Sequence, residues 1–421
     1  MSGVRVDLQE PLPVPEPEGP PLRRLDAREW ARENLFSSKL NGLLTVVFGL
    51  LLAWVAYRVL RFVVVDARWE IIERNITNLL VYQFPRGELW RVWAALYVLA
   101  ASVGFGVGAA GRRKALAAAE DGAPAAGRSQ VVRRVGPLLA LVVVLLAFAQ
   151  SLAATLLVAG VAATAVGFRV VGQRVPLRRA RLASVLVLVG IVAAYLTITA
   201  FGGVPRDRWG GLLLTAFLAI GGIVISFPLG VLLALGRRSS FPAVRIVCTA
   251  YIELIRGVPL ITILFMSAFA LGFFLPPGSE RPSAVTRALV ALVLFTAAYV
   301  AEIVRGGLQG VPRGQLEAAQ AIGLSPLKTT RLIVLPQALR NVIPALVGQF
   351  ISLFKDTSLV FIVGLTELLA VAQNITKQSD FVAQGLFVET LIFAAFVYWA
   401  GSYWMSRESQ RLETRLGVGT R

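Results

Sequence analysis

An all-α, polytopic membrane protein is the fold class this 421-residue sequence predicts, and three observations carry the prediction. Apolar runs of about 20 residues, enough to cross a hydrocarbon core about 30 Å thick, recur along the chain. The composition is 56% apolar with a mean hydropathy of +0.71, above the roughly 45–50% apolar content of ordinary soluble domains. Lys and Arg gather in the short segments between the runs, where they set orientation under the positive-inside rule. The net charge of +18 therefore reads as topogenic, and not as the phosphate-binding footprint of a nucleic-acid protein. There is one cysteine, Cys248, and no histidine, so a disulfide framework, a His relay and a metal site are not expected.

Taken in order, residues 1–35 open with the Pro- and Glu-rich "EPLPVPEPEGPP", which lacks the basic-then-apolar order of a cleaved signal and reads as a disordered cytoplasmic tail. A transmembrane extension follows over 36–201. Its first span runs from Leu43 to Val65, and the charge-balanced segment 66–91, with Trp69, Tyr82 and Trp90, reads as an amphipathic helix at the outer interface. A second span, Val92 to Ala110, leads into a loop with six basic and two acidic residues, which places it inside. The apolar stretch from Pro137 to Phe168 also ends in a basic segment carrying five arginines. With both flanks inside, it must be a hairpin of two short spans, and Gln150-Ser151 is its natural turn. Spans at 185–201, 211–236, 247–275, 286–304, 338–371 and 387–405 complete about ten, with both termini inside and 409–421 as a polar tail.

One stretch interrupts this pattern. "EAAQAIGLSPLKTTRLIVLP", residues 317–336, lies in a basic, cytoplasmic connection between two spans. "VPRGQLEAAQAIG" reads as a short helix ended by Gly323 in a left-handed cap. Ser325 and Pro326 then open a second helix, and Leu335-Pro336 closes the unit. Ala318, Ala319 and Ala321 keep one surface low enough for close approach of a partner, and Glu317 offers a charge to orient it. By composition alone, an amphipathic helix lying on the headgroups accounts for the stretch equally well.

The spacing resembles the EAA motif of permease subunits in ABC-type importers: Glu317, Ala318, Ala319, Gly323, Ile333, Leu335 and Pro336 fill its positions without a gap. "ELIRGVPLITILF", "AYVAEIVRGGLQGVPRGQ" and "FKDTSLV" are similar to the polar amino-acid branch, and the long form resembles the general L-amino-acid permeases of Gram-negative bacteria. The resemblance implies a five-helix type I importer permease core over 205–408, in a bacterial inner membrane. It implies that Glu317, Ala318, Ala319, Gly323, Ser325, Leu335 and Pro336 couple to a cytoplasmic ABC ATPase dimer, with a second, different permease chain and a periplasmic amino-acid-binding protein completing the assembly. The implied substrates are glutamate, glutamine, aspartate or a general set of L-amino acids. No catalytic residue and no cofactor is expected on this chain, ATP being bound by the partner; no G-x-x-x-x-G-K-[ST] phosphate loop occurs in it.

Ionisable groups inside spans cost roughly 2.5–3.5 kcal/mol or more, so each calls for a reason. Glu253 and Arg256, one turn apart and followed by Gly257 and Pro259, read either as an internal ion pair or as part of the pathway. Lys355 and Asp356 point about 100° apart on a helix and should not pair with each other. With Thr357 and Ser358 they are candidates for the translocation pathway and its gate, or for contact with the partner permease. Glu302 and Arg305 close their span and organise its exit; Glu389 is a lone acid in the last span, suited to pairing with a partner. An ion-gradient-driven secondary transporter is the alternative, but no internal repeat of the kind such folds use is visible. Single-cysteine labelling on a Cys248-free background should find positions near Arg113, Arg178 and Gly323 cytoplasmic, and positions near Arg74, Arg208 and Ser283 external. External labelling near Arg178 would remove the hairpin and reverse the count.

Overall fold

A computed structural model describes residues 26–120, 128–176, 183–270, 276 and 278–416. The distal part of the N-terminal tail, the end of the C-terminal tail and the centres of the two basic loops near Asp121 and Arg178 lie outside these residues.

The first of two compact units, Met1–Ala67, contains α1 (Ala27–Asn34) and α2 (Lys39–Arg61). Ser38 caps α2, its Oγ accepting from the Asn41 N–H at 3.1 Å. The stretch Lys39–Asp66 has a mean hydropathy of 2.1 and none of it is buried, which suits a helix whose whole circumference meets lipid.

The second unit, Arg68–Arg421, is built on helices throughout. It begins with α3 (Glu70–Val81), α4 (Leu89–Glu120), α5 (Arg128–Ala149), α6 (Leu152–Arg174) and α7 (Ala183–Thr199). The run 137–168 does break at Gln150, whose φ is +43°, and Ser151 caps α6 through the Ala154 N–H. Its two legs splay instead of forming a tight hairpin: α5 packs on α3 and on the last helix of the chain, whereas α6 packs along α4. The reason lies in the α4–α6 seam, where a Cβ at Gly108 would stand 2.1 Å from the Arg169 carbonyl oxygen. Only a hydrogen at that position lets the two backbones approach so closely, as in small-residue contacts between membrane helices.

Helices α8 (Gly211–Arg237), α9 (Pro242–Gly257), α10 (Leu260–Phe265) and α11 (Ala284–Gln309) follow. Then come α12 (Arg313–Ala321), α13 (Pro326–Thr329), α14 (Leu335–Asp356), α15 (Leu368–Ile375) and α16 (Phe387–Leu416). Six stretches among the described residues are long and apolar enough to cross a membrane, and the bent pair α9–α10 makes a seventh. Helix α7, the apolar part of α5 and the first half of α16 supply the remaining apolar segments. In α16, Glu389 and a run of Trp and Tyr dilute the hydropathy.

Four expectations change. The span at 247–275 is bent by 107° where Gly257-Val258-Pro259 separates α9 from α10, because Pro259 has no N–H to continue the ladder. The run 338–371 is not one span: α14 ends at Asp356, passes through a 3₁₀ segment, Thr357–Val363, and turns at Gly364 into the short α15. Helix α3 is amphipathic as expected, yet its apolar face is covered by protein. Ile71, Ile72, Ile76 and Leu79 are buried against Leu368, Val371, Phe393 and Val397 of α15 and α16. Asn75 and Gln378 exchange side-chain hydrogen bonds at 2.8 and 3.1 Å, which ties α3 to the connection between α15 and α16. Glu389, read as a lone acid awaiting a partner chain, is buried and accepts from the Arg68 N–H at 3.3 Å.

Gly108→Val should force the α4–α6 backbones apart, at a cost of about 1–3 kcal/mol. Thermal unfolding in detergent should show that loss, and should leave Gly111→Val, where a Cβ meets nothing within 4 Å, near the parent protein.

Candidate functional site

The stretch 313–336 stands between α11 and α14 as two short helices meeting at a bend. Helix α12 closes as a Schellman motif: the Leu324 N–H donates to the Ala319 carbonyl at 3.1 Å and the Gly323 N–H to that of Gln320 at 2.9 Å. Gly323 takes φ of +74°, the left-handed conformation that a Cβ disfavours. Pro326 occupies the first turn of α13. Ser325 holds the cap position in extended conformation, but its side chain makes no capping bond; only its carbonyl does, accepting from Thr329 at 2.9 Å.

Leu335-Pro336 does not close the unit. A π-helical turn over Thr330–Val334, in which the Leu335 N–H reaches back to the Thr330 carbonyl, carries α13 into α14 without interruption. The wider turn absorbs the N–H that Pro336 lacks, so the second short helix is the foot of the next span. Ala319 is buried under this foot at 1% exposure, while Glu317, Ala318 and Gly323 face outward with Ser325 and Pro336, and Leu335 is half-buried. Around them Leu316, Ile322, Leu327 and Leu332 are exposed, Ile322 and Leu327 by 74% and 77%. That much uncovered apolar surface on an otherwise polar unit marks a contact surface.

Beside this unit lies a group of charges that the sequence named only in part. Glu253 and Arg256 do not pair with each other. Glu253 on α9 meets Arg237 at 2.7 Å, and Arg256 meets Glu302 of α11 at 3.5 Å. Arg237 also reaches Glu302 at 3.4 Å, and Arg305 Nε donates to the same carboxylate at 2.9 Å. Arg256 lies over the Tyr299 ring, 5.7 Å from its centroid. Three guanidinium groups thus converge on Glu302, whose side chain is 24% exposed. Arg237 was not singled out from the sequence, because only the α8–α9 turn brings it to Glu253.

Lys355 and Asp356 form the end of α14; Lys355 is exposed and Asp356 half-buried, and neither joins an ion pair among the described residues. Thr357 is fully buried with its hydroxyl on the Phe354 carbonyl at 2.7 Å, and Ser358 is half-buried. The 3₁₀ segment that follows packs against α10, the outer arm of the bent pair. A further polar residue escaped the sequence entirely. Glu367 is completely buried and caps α15, accepting from the N–H groups of Leu369 and Ala370 at 2.8 and 2.7 Å and from the Tyr398 hydroxyl at 2.8 Å. A capping acid before an apolar run was its only sequence signal. No group of three or more His, Cys, Asp or Glu suited to a metal occurs among the described residues.

Comparison with known proteins fits this arrangement. A family model described as "Binding-protein-dependent transport system inner membrane component" matches residues 226–416, from the middle of α8 to the end of α16. The "Glutamate/glutamine/aspartate/asparagine transport system permease protein BztC" of Rhodobacter capsulatus is 35% identical over 99% of this chain and 98% of its own length. The "Inner membrane amino-acid ABC transporter permease protein YhdY" of Escherichia coli K12 is 50% identical over 216 residues, which span 51% of this chain and 58% of that protein. A solved structure described as an amino acid ABC transporter with histidines is 32% identical, covers 49% of this chain and 92% of its own, and superposes with a TM-score of 0.44. With one relative aligned from end to end, the chain belongs to the family of inner-membrane permease components of binding-protein-dependent amino-acid ABC transporters.

Proposed function

We propose that this chain is a permease subunit for polar L-amino acids of the glutamate, glutamine and aspartate type. It serves an ATP-driven importer of the bacterial inner membrane, and its 313–336 unit docks on a separate cytoplasmic ATPase. The single observation carrying the docking is the bent, outward-facing pair α12–α13, with Glu317 and Ala318 exposed and Ile322 and Leu327 uncovered beside them. A rigid bend with an apolar surface and one orienting carboxylate is what a groove on a partner would grip. The amino-acid range rests on the names of the full-length and half-length relatives. In this reading the ATPase binds and hydrolyses ATP, a binding protein delivers substrate from the other side, and a second permease chain completes the pathway. Both termini and the 313–336 unit face the cytoplasm. The secondary-transport alternative leaves the uncovered α12–α13 surface without a partner.

Lys355, Asp356 and Ser358 line the pathway in this reading, with the fully buried Thr357 bracing the turn behind them, and Glu253 and Arg256 stand at its gate. Charges at a helix end within a span, free of ion pairs inside their own unit, are costly unless water, substrate or a neighbouring chain meets them. Lys355→Gln and Asp356→Asn should each impair uptake in reconstituted vesicles while the complex stays assembled. Normal uptake by both would leave these residues a purely structural part.

The docking is tested separately. Gly323→Val places a β-branched side chain at positive φ, costing about 1–2 kcal/mol and distorting the bend; Glu317→Lys reverses the orienting charge. Both should insert normally, because neither touches a span or a basic loop. Each should lose ATP-driven uptake, read together with ATPase co-purification. Retention of normal uptake by both would remove this unit as the coupling element.

A further inference from the structure

The converging charges at Glu302 sit at a mechanical junction. Helix α11 carries Glu302 and Arg305 in its last turns and passes through Gly310, Val311 and Pro312 directly into α12, the first helix of the docking unit. Helix α9 carries Arg256 in its last turn, immediately before the 107° break that leads into α10. Helix α10 in turn packs on the 3₁₀ segment that begins beside Lys355 and Asp356. Glu302 therefore joins the element rooted in the docking unit to the element that bends over the candidate pathway.

The two arms of this junction are held differently. An apolar cluster, including Ala234, Ile252, Val304 and Val334, packs the inner ends of α8, α9, α11 and the foot of α14 together. Apolar packing is non-directional and permits sliding. Directional contacts between these helices include the ion pairs Arg237–Glu253, Arg237–Glu302 and Arg256–Glu302, at 2.7, 3.4 and 3.5 Å. Beside them stand the Arg238 donation to the Leu308 carbonyl at 3.3 Å and, further along α9, the Tyr251 hydroxyl's donation to the Leu294 carbonyl at 2.7 Å. Arg305 is different: it meets Glu302 from three residues further along the same helix and makes no direct ion pair to another helix, Glu253 of α9 acting on it only at longer range. Arg256 depends on this single carboxylate contact, with its Nε buried and unpartnered and its guanidinium resting on Tyr299.

We propose that Glu302, through Arg237 and Arg256, is the positioning residue that transmits displacement of the 313–336 unit to the bent α9–α10 pair. The proposal rests on that unit being the docking element. Neutralising Glu302 leaves the ATPase docked, but unties the Arg256 end of α9 from α11, with only the Tyr251–Leu294 hydrogen bond further along the helix remaining, so that this end lags when the ATPase moves. ATP is then hydrolysed without a matching movement at Lys355 and Asp356. Removing Arg305 leaves both cross-helix pairs in place and preserves transmission.

The test uses the complete complex with its ATPase in proteoliposomes and its binding protein added, and reads substrate molecules taken up per ATP hydrolysed. Glu302→Gln and Arg237→Gln should each lower that ratio about tenfold, within the usual range of coupling between sites, while basal hydrolysis and ATPase co-purification stay at the parent level. Glu302→Asp should recover part of the ratio, and Arg305→Gln should stay near the parent. A merely structural role would lower the yield of assembled complex and leave the ratio unmoved in the fraction that assembles. Should Glu302→Gln fail to assemble, Arg237→Gln decides. A parent-like ratio in whichever of these variants assembles overturns the proposal, and so does an equal loss in Arg305→Gln. Failure of docking itself would appear instead as normal uptake in Glu317→Lys and Gly323→Val, so the two ideas fall to different variants.

Discussion

Within hydrocarbon a backbone N–H or C=O has no water to turn to, so a helix can break only where protein supplies the missing partner. Two interruptions in this chain show how that constraint is met. At Gln150 one freed donor of α6, the Ala154 N–H, is met by the Ser151 side chain. At the end of α14 the chain uses a 3₁₀ segment, then turns and gives the first donors of α15 to the Glu367 carboxylate. The Leu368 N–H goes to the Thr215 hydroxyl of α8, and the Thr366 carbonyl accepts from the Gly211 N–H. A fully buried acid is tolerated there because three donors, the Leu369 and Ala370 N–H groups and the Tyr398 hydroxyl, reach its carboxylate. Its loss would expose several backbone groups at once.

The breaks also divide the labour between the two ends of the bundle. Around Glu367 the helices meet through hydrogen bonds and dense apolar packing, with α3 laid over α15 and α16. Around Glu302 they meet through paired charges of intermediate exposure. Partly exposed ion pairs contribute little net stability, so what they add at that end is direction. The end that carries the 313–336 unit is thus the one where ion pairs as well as apolar packing link the helices.

How far this was legible in the sequence follows from the kind of signal each feature leaves. Apolar runs disclosed most spans, and the Gly and Ser-Pro punctuation disclosed the bend at Gly323, because both are local. The break at Gly257-Val258-Pro259 was visible as a weak point, but a proline does not state how far the helix will turn. The run 338–371 passed for one span because a 3₁₀ segment and a buried turn are as apolar as a helix. Helix α3 passed for a surface helix because lipid and protein select the same amphipathic pattern. Arg237 could not be linked to Glu253 without knowing that a tight turn folds α8 back onto α9. Glu367 looked like any other acid, since a cap is recognised by the donors around it.

The uninterrupted course of α13, the π-helical turn and α14 has a geometric corollary. From Pro326 to Asp356 the chain is one rod of 31 residues, or about 46 Å at 1.5 Å per residue. A rod of that length magnifies what happens at its foot: a tilt of about 10° sweeps the far tip through roughly 8 Å. Pro344, midway along, removes one backbone bond without dividing the helix. The carboxylate of Asp356 and the ammonium of Lys355 ride on the moving tip. A small tilt at the base of such a rod would be a wide displacement at its charged end.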